Sequence, residues 1–388
     1  MITNILITAS ALLLTSLLLI GFWKRVEIKR LLAANALFKP DRIISNFCNM
    51  DRIFLHVEMS RGNGPVSPLP QGPQMTMPSS YDDWVNARNV TSMVVLKRGQ
   101  IVHEAYYQGT NADDRRISWS VAKSYLSVLF GILVDEGHIA SLDDPIIRYA
   151  PSLKDGAYDK ATVRNVLQMA SGVTFDEDYL SFNSDINRMG RILAVGGKMD
   201  EFAAGLKDNF AAPGDIWQYT SIDTHVIGMV ARGATGREIP DLMAEKLIAP
   251  LGMEHAPYYL TDGVGVAFVL GGLNITTRDY ARFGQMVLQD GMWQGQRVVP
   301  ADWIAASTTA SAPTQAGELG YGYQWWMPVD GAPGQFMGRG IYGQYIYIDK
   351  EAHVVIVPTA ADPLFREPEI IEQNMNMFRQ VVAASQGE

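Results

Sequence analysis

Ser120 and Lys123 are the residues whose types and spacing most directly allow chemistry. Ser120-Val-Ala-Lys123 is the only stretch in the 388 residues in which a lysine follows a serine by three positions. Residues three apart are neighbours on a helix face, so the hydroxyl and the amine meet if this segment is helical. A lysine held neutral can take the serine proton and create a nucleophile without a histidine. The alternative is a serine at a helix start beside a surface lysine.

Tyr219 is a candidate for a second group that handles the proton. It lies in Pro213-Gly-Asp-Ile-Trp-Gln-Tyr219-Thr-Ser221, and the Pro-Gly pair predicts a loop that can present a side chain. Tyrosine has an ordinary pKa of about 10, so it needs the positive field of the lysine to act near neutrality. We predict that Tyr219 relays the proton and that Ser221 supports the lysine–tyrosine network. The alternative is a tyrosine before a helix that Ser221 caps.

The spacing of Tyr219 and Ser221 is not specific by itself. Tyr125-Leu-Ser127 and Tyr179-Leu-Ser181 have the same spacing. Tyr125 follows Lys123 by two positions on the same predicted helix and belongs more naturally to the core.

Acyl transfer also requires two N–H donors for the oxyanion. One is available at the predicted helix start, where the first N–H groups have no partner within the helix. The other can come from Gly338-Arg-Gly-Ile-Tyr-Gly-Gln344, because glycines let a backbone approach closely. A plain hairpin is the alternative for this stretch.

The elements around these residues predict an α+β fold. The segment 120–136 is apolar nearly all round and ends before Gly137, which indicates a buried central helix. Two strand-like runs, 91–97 and 101–107, turn at Arg98-Gly99, helical patterns dominate from about 160 to 290, and strands return after 320. We therefore predict an antiparallel sheet built from both termini, with flanking helices and an inserted helical lobe.

The N-terminus predicts a transmembrane helix. Residues 1–23 carry no charge, and their length suits a span of about 20 residues. Lys24, Arg25, Lys29 and Arg30 follow at once, and no clear cleavage site separates them. We predict a single-pass membrane anchor over 1–23, with a cleaved signal peptide as the alternative.

Three regions follow from these patterns. After the anchor, residues 24–78 are predicted as a juxtamembrane segment that includes a linker rich in Pro and Gly, and residues 79–388 as the catalytic domain. The basic residues after the anchor favour a cytoplasmic domain.

Composition excludes several classes of function. The net charge of −9 and the lack of basic runs in the globular part argue against nucleic-acid binding. Cys48 is the only cysteine, so no internal disulfide forms. The six histidines are scattered without the spacing of a zinc site, and we predict no metal and no cofactor.

Together, Ser120-x-x-Lys123, Tyr219-x-Ser221 and the glycine-rich strand resemble the serine β-lactamase-like superfamily in order and approximate spacing. That superfamily includes class C β-lactamases, D,D-peptidases, related esterases and 6-aminohexanoate-dimer hydrolase. The resemblance covers about residues 80 to 380. It is strengthened by Leu167-Gln-Met-Ala-Ser-Gly-Val173, Gly271-Gly-Leu-Asn-Ile-Thr-Thr277 and Tyr345-Ile-Tyr-Ile-Asp349.

The chain is most similar to the 6-aminohexanoate-dimer hydrolase and esterase branch, through Asp176-Glu-Asp-Tyr179 and Gly340-Ile-Tyr-Gly-Gln344. The resemblance implies that Tyr179 is a mobile tyrosine that closes over the substrate. It also implies that the N–H groups of Ser120 and Ile341 form the oxyanion hole. It places the catalytic domain outside the cytoplasm, against the basic flank, and we predict a periplasmic or extracytoplasmic domain.

One position departs from the family pattern. The third family motif is usually Lys-Thr-Gly or His-x-Gly, whereas this chain has Gly338-Arg339-Gly340. The cation that would meet a β-lactam carboxylate is missing at the first position, and Arg339 is expected on the other face of the strand. By analogy with the family, this departure argues against efficient β-lactam hydrolysis and favours an amide or ester substrate without that carboxylate.

The predicted function is a serine hydrolase that cleaves an amide or ester bond of a small molecule through an acyl-enzyme. In this prediction Ser120 is the nucleophile, Lys123 the base and Tyr219 the proton relay. The alternatives are a D,D-peptidase or β-lactamase that acts on cell-wall-type substrates, and a non-catalytic membrane-anchored sensor of the penicillin-binding type. The sequence leaves the oligomeric state open.

Overall fold

The computed structural model describes residues 23–387 and contains helices on both sides of a large antiparallel sheet. The strands are β1 (His56–Glu58), β2 (Val90–Lys97), β3 (Gln100–Tyr106), β4 (Arg116–Ile117), β5 (Tyr258–Leu260), β6 (Leu273–Ile275), β7 (Met292–Trp293), β8 (Gln296–Arg297), β9 (Gly320–Tyr321), β10 (Trp326–Met327), β11 (Gln335–Gly340), β12 (Gln344–Asp349) and β13 (Val354–Ala360). The helices are α1 (Arg25–Asn35), α2 (Ile43–Phe47), α3 (Tyr81–Ala87), α4 (Val121–Asp135), α5 (Val163–Leu167), α6 (Asp185–Val195), α7 (Met199–Ala204), α8 (Ser221–Thr235), α9 (Ile239–Met243), α10 (Ala249–Leu251), α11 (Thr277–Leu288), α12 (Ala301–Ser307) and α13 (Pro368–Ala384).

The large sheet joins the two ends of the segment 79–388. Its strand order is β3-β2-β13-β12-β11-β10-β9, with antiparallel pairing throughout. The β2–β3 hairpin turns at Arg98 and Gly99, whose φ values of 49° and 78° suit a two-residue hairpin turn. The predicted α+β architecture with an antiparallel sheet from both termini is present.

Side chains alternate between the two faces of this sheet and bury both. Val94 and Leu96 of β2 belong to the main core, which also contains most of α4 and α11. Met93 and Val95 point to the other face and pack in a second core with α3 and α13. The sheet therefore lies between two layers of helix, and α4 lies in the main core.

Helix α4 is held in place by close packing as well as by its apolar sequence. Gly131 lies directly under Trp303, since an added Cβ there would be 2.2 Å from Trp303 Cδ1. The hydroxyls of Ser124 and Ser127 donate hydrogen bonds to the carbonyl oxygens of Gln324 and Tyr323, at 2.8 and 2.6 Å. These contacts fix the helix that carries the serine–lysine pair.

A small four-stranded sheet attaches the N-terminal segment, residues 23–58, to the rest of the molecule. Its order is β1-β5-β6-β4, so β1 pairs with β5, more than 190 residues later in the chain. Leu37, Phe47 and Met50 of this segment are buried in the main core. The N-terminal segment therefore packs against residues 79–388 along much of its length.

The Pro- and Gly-rich stretch that follows is irregular but not detached. The N–H groups of Gly72 and Met75 donate to the carbonyl oxygens of Ile101 and Val102 on the edge strand β3, each at 2.9 Å. This pairing covers an edge that would otherwise expose unpaired backbone groups.

The predicted transmembrane helix is the part of the fold prediction that is wrong. Within residues 23–387 no helix is long and apolar enough to cross a membrane. Helix α1 has only 11 residues, carries several charges and has no buried residue, whereas a span requires about 20 apolar residues. The predicted span over 1–23 lies, apart from Trp23, outside the described residues. The predicted localisation, a single-pass anchor with an extracytoplasmic domain, depended on this helix and is corrected on the same finding. The prediction of the membrane as a partner is corrected with it.

Candidate active site

Ser120 lies at the junction between β4 and α4. It is the N-cap residue of the helix, and it follows Trp119, whose φ is 44°. Residues other than glycine rarely adopt such a conformation, which is stored strain of the kind found at functional sites. The turn leaves Ser120 half-buried and lining a cavity.

Lys123 lies one turn along α4, beside Ser120. Its Nζ lies 3.4 Å from Ser120 Oγ and donates a hydrogen bond to the Leu270 carbonyl oxygen at 2.7 Å. The residue is only 2% exposed. Burial lowers the pKa of its amine to about 7, and the negative charges of Glu177 and Asp223 oppose that shift. A large fraction of the amine is therefore neutral near pH 7 and can accept a proton.

Tyr219 packs against the same amine from another segment. Lys123 Nζ lies 5.5 Å from the centroid of the Tyr219 ring, and that ring stacks on Trp326 with centroids 5.3 Å apart. Burial raises the pKa of the Tyr219 phenol, while hydrogen bonds with Ser120 and Ser221 oppose the rise. The phenol is therefore protonated at neutral pH and can donate a proton to a leaving group.

Ser221 is the first residue of α8, and Thr220 takes the N-cap position. The N–H and hydroxyl of Ser221 donate to the two carboxylate oxygens of Glu177, at 2.9 and 2.5 Å. The Tyr179 hydroxyl donates to the same carboxylate at 2.6 Å. Glu177 thus joins Ser221 and Tyr179, two of the predicted site residues, at a helix N-terminus that favours negative charge.

Asp223 is a buried carboxyl group near this network. Its Oδ1 accepts hydrogen bonds from the Tyr158 hydroxyl at 2.6 Å and from the Ser171 hydroxyl at 2.9 Å. Its Oδ2 is buried and has no hydrogen-bond partner among the described residues. Burial raises the pKa of Asp223 to about 7. Asp223 and Lys123 therefore titrate in the same range.

Sequence reasoning gave no role to Glu177 and Asp223. Asp223 was visible as an acidic residue in the first turn of a predicted helix, and Glu177 lies within the stretch that includes Tyr179. Their effect on Lys123 depends on proximity in the fold, and no local pattern reveals that.

The two candidate oxyanion donors lie close together. An added Cβ at Gly340 would be 2.6 Å from the Ser118 carbonyl oxygen and 3.1 Å from the Ser120 nitrogen. Glycine is therefore required for β11 to approach the start of α4 so closely. Ile341 follows Gly340 directly, and both Ser120 and Ile341 line the cavity.

Aromatic side chains support the residues next to these donors. Tyr342, which follows Ile341, has a φ of 59°, so both donors adjoin a residue with positive φ. Phe38 stacks on Tyr342 with ring centroids 5.0 Å apart and lies 5.7 Å from the Trp119 ring. Phe47 packs edge-on against both rings, at 5.5 Å. The N-terminal segment thus braces both strained positions.

Arg339 does not leave the site without a cation. Gly338 and Gly340 face α4, so Arg339 lies on the opposite face of β11, as the sequence predicts. Its guanidinium nevertheless lies 5.6 Å from the centroid of the Trp326 ring, on which Tyr219 stacks. Its charge opposes the burial that raises the pKa of Tyr219. A guanidinium thus lies near Tyr219, although the first position of the third motif lacks a cation.

The predicted residues converge on one cavity of about 860 Å³. Ser120, Tyr179, Ser221 and Ile341 line it, whereas Lys123 and Tyr219 are not among its lining residues. The structure thus brings the predicted site residues together, from four separate parts of the chain.

Comparison with known proteins places these features in a family. The family model described as Beta-lactamase matches residues 85–364. A curated relative, the 6-aminohexanoate-dimer hydrolase of Paenarthrobacter ureafaciens, is 30% identical over 288 residues, which cover 70% of this chain and 72% of the relative.

Solved structures show the same fold. A Bacillus anthracis protein with the provisional name 6-aminohexanoate-dimer hydrolase superposes with a TM-score of 0.78 at 24% identity, over 89% of this chain and 95% of that one. A family VIII carboxylesterase superposes with a TM-score of 0.58 at 16% identity, over 81% and 98% of the two chains.

Proposed function

The chain belongs to the Beta-lactamase family, and we propose that it is a serine hydrolase that cleaves an amide or ester bond through an acyl-enzyme. The observation that carries the proposal is the contact between Ser120 Oγ and a buried lysine amine whose pKa is about 7. A hydroxyl beside an amine that is partly neutral at physiological pH is an activated nucleophile. We propose that residues 79–388 form the catalytic domain, with 24–78 packed beside it.

Acylation begins with the transfer of a proton from Ser120 Oγ to neutral Lys123. The oxygen then forms a bond to the carbonyl carbon, and the negative oxygen rests on the N–H groups of Ser120 and Ile341. Loss of one such donor in a comparable site costs about 10²–10³ in rate. Tyr219 gives its proton to the departing amine or alcohol as the carbon–leaving-group bond breaks, and it recovers a proton from Lys123.

Deacylation reverses these proton transfers with water as the nucleophile. Water gives a proton to the Lys123–Tyr219 pair and attacks the acyl carbon, and Ser120 Oγ regains a proton as its bond to that carbon breaks. Ser221, whose hydroxyl donates to Glu177, opposes the rise in the pKa of the Tyr219 phenol and is proposed to position it. Tyr179 lines the cavity beside them and is proposed as a wall for bound substrate.

The substrate class is inferred from relatives of this chain. The dimer of 6-aminohexanoate is joined by an amide, and a structural relative is a carboxylesterase. Both bonds are broken by the same acyl transfer. Because Arg339 supplies a cation near Tyr219, a cell-wall-type or β-lactam substrate is the second candidate.

A fluorophosphonate probe tests the nucleophile directly. We expect one covalent adduct, located on Ser120 by mass spectrometry, and none in Ser120→Ala. Ser60→Ala, which changes an exposed serine outside the cavity, serves as the matched control and retains labelling. A folded protein with no adduct, or with an adduct that survives in Ser120→Ala, contradicts the proposal.

A substrate panel then separates the classes. It contains p-nitrophenyl esters, 6-aminohexanoate oligomers, peptides that end in D-Ala-D-Ala, and nitrocefin. Turnover of the first two groups supports an amidase or esterase, whereas turnover confined to the last two supports the cell-wall alternative. Stoichiometric acylation of Ser120 without turnover indicates a binding protein rather than an enzyme.

A further inference from the structure

We infer that the cavity beside Ser120 binds the acyl part of the substrate and that this part is a long, uncharged, apolar chain. The inference rests on the proposed function and narrows its substrate class. It is carried by the composition of the cavity wall and by the side of Ser120 on which the cavity lies.

The interior of the cavity is apolar. Its volume of about 860 Å³ is large for a site that would hold only a short acyl group such as acetyl. Its walls come largely from the N-terminal segment, from α6 and from β5, and these elements contribute a group of apolar side chains that are almost fully buried. They include Leu37, Met50, Phe54, Met189, Leu193 and Leu260.

Charged side chains are confined to the rim. Among residues 23–387, four charged residues contribute to the lining: Asp178, Arg191, Arg366 and Glu367. Asp178 and Arg366 are exposed and pair with each other at 3.2 Å, and Glu367 is exposed. Arg191 donates to the carbonyl oxygen of Phe182, a residue that is 69% exposed. A charged group placed in the interior would have no charged partner there, and its burial would be costly.

The position of Tyr219 indicates which half of the substrate occupies the cavity. Tyr219 is the proposed donor to the leaving group, yet neither it nor Trp326, which covers its ring, contributes to the lining. Ser120 and Ile341, which surround the reacting carbonyl, do. The leaving group therefore faces Tyr219, and the cavity receives the chain on the acyl side.

The first test is a series of p-nitrophenyl esters with a constant leaving group, from acetate through butyrate and hexanoate to octanoate. We expect kcat/KM to rise about two- to fourfold for each buried methylene. A matching series of acetates with lengthening alcohols, followed by release of acetic acid, is expected to show no such rise. A flat or falling acyl series, or a rise in the alcohol series instead, overturns the inference.

The second test compares two esters of equal length that differ in charge. The p-nitrophenyl ester of 6-aminohexanoate is expected to have a kcat/KM at least about tenfold below that of the heptanoate, because its ammonium group would lie unpaired in an apolar wall. Equal rates for the two esters contradict an apolar interior.

The third test fills the cavity. Gly190 lies within α6 and lines the cavity, and an added Cβ there meets no atom within 4 Å, so Gly190→Leu is compatible with the fold. We expect the ratio of octanoate to acetate kcat/KM to fall by about tenfold or more. Gly64→Leu is the matched control, since Gly64 has equally open surroundings outside the cavity, and its ratio stays at the wild-type value. An unchanged ratio in folded Gly190→Leu overturns the inference.

These outcomes are distinct from failure of the proposed function. If the fluorophosphonate labels Ser120 and esters are turned over, but chain length has no effect, the hydrolase proposal stands and the acyl-chain inference fails. If Ser120 is not labelled and no ester is turned over, both fail.

Discussion

At the scale of single residues, the decisive property of this site is the proton on Lys123. The amine is buried beside Ser120, and burial holds its pKa near 7 against the opposing charges of Glu177 and Asp223. An exposed lysine has a pKa of about 10.4 and is almost fully charged at neutral pH. On a solvent-exposed helix the lysine would therefore be charged and could not accept the proton of the serine.

The pH dependence of the reaction follows from this property. In the proposed mechanism neutral Lys123 is the base, so kcat/KM is expected to be low in acid, to rise through about pH 7 and then to level off. Burial raises the pKa of Tyr219, so its proton is not lost in the same range. The measurement is kcat/KM between about pH 5 and about pH 9 on one activated ester.

Lys123→Arg is the control for that profile. A guanidinium remains charged throughout this range and cannot act as the base. We expect kcat to fall by about 10²–10⁴ and the rise near neutrality to disappear. A wild-type profile that is flat or falls with increasing pH, or an arginine variant that keeps the rise, contradicts a lysine base.

Asp223 is expected to set the pH at which this rise occurs. Its negative charge raises the pKa of Lys123, so Asp223→Asn removes that influence and moves the rise to lower pH. The amide oxygen of asparagine can still accept from Tyr158 and Ser171. Asp200→Asn changes a half-buried carboxylate that pairs with His225 and Arg232 and does not act on the pKa of Lys123, so it is expected to leave the midpoint in place. A midpoint that moves equally in both variants, or upward in Asp223→Asn, contradicts this assignment.

At the scale of elements, the site depends on the close approach of β11 to the start of α4. The approach brings Ile341 and Ser120 side by side and leaves no room for a side chain at Gly340. Trp119 and Tyr342, which both have positive φ values, lie on either side of this contact. Phe38 and Phe47 pack against both residues. The proposed oxyanion hole thus depends on two elements and on the segment that braces them.

Gly340→Ala tests this approach. The methyl group would be 2.6 Å from the Ser118 carbonyl oxygen, so the strand must shift away from the helix. We expect a loss of stability of about 1–3 kcal/mol and a fall in kcat larger than the change in KM, because the donors act mainly on the transition state. Thermal unfolding and steady-state kinetics measure the two effects.

Gly64→Ala provides the comparison, since a Cβ at Gly64 meets nothing within 4 Å. It is expected to change neither quantity. An active Gly340→Ala variant with wild-type kcat would show that the close approach is unnecessary for catalysis.

At the scale of the whole molecule, the N-terminal segment and residues 79–388 share one core. Met50 is fully buried in that core and also lines the cavity, although it lies outside the region that the family model matches. Strand β1 pairs with β5 and fixes the segment at its far end. The cavity wall therefore depends on chain that precedes the matched region.

The N-terminal segment and the rest of the described chain are expected to unfold together in one cooperative transition. Met50→Ala is expected to lower the free energy of unfolding by about 2–5 kcal/mol. The urea unfolding curves recorded by tryptophan fluorescence and by circular dichroism are expected to shift together. Leu32→Ala, at a position of α1 that is 63% exposed, is the control and should change stability by about 0.5 kcal/mol or less. Two separate transitions would indicate that the segment folds independently.

Much of the fold was predictable because it depends on local patterns. The buried helix from Val121 to Asp135 and the hairpin that turns at Arg98-Gly99 follow from hydrophobic periodicity and turn residues. The failed prediction was also based on a local pattern, namely the uncharged run at the N-terminus. In the described chain the helix that begins just after this run is short, charged and packed beside the catalytic region.

The sequence by itself determined that Ser120 and Lys123 share a helix face, because neighbours at three positions meet whenever a helix forms. Only the tertiary structure decided that the lysine is buried, that Glu177 and Asp223 act on it, and that Arg339 lies near Tyr219. It also decided that the N-terminal segment forms a wall of the cavity. The physical reason is that a pKa and a cavity depend on desolvation and charge from segments far apart in the chain, and no local spacing encodes those.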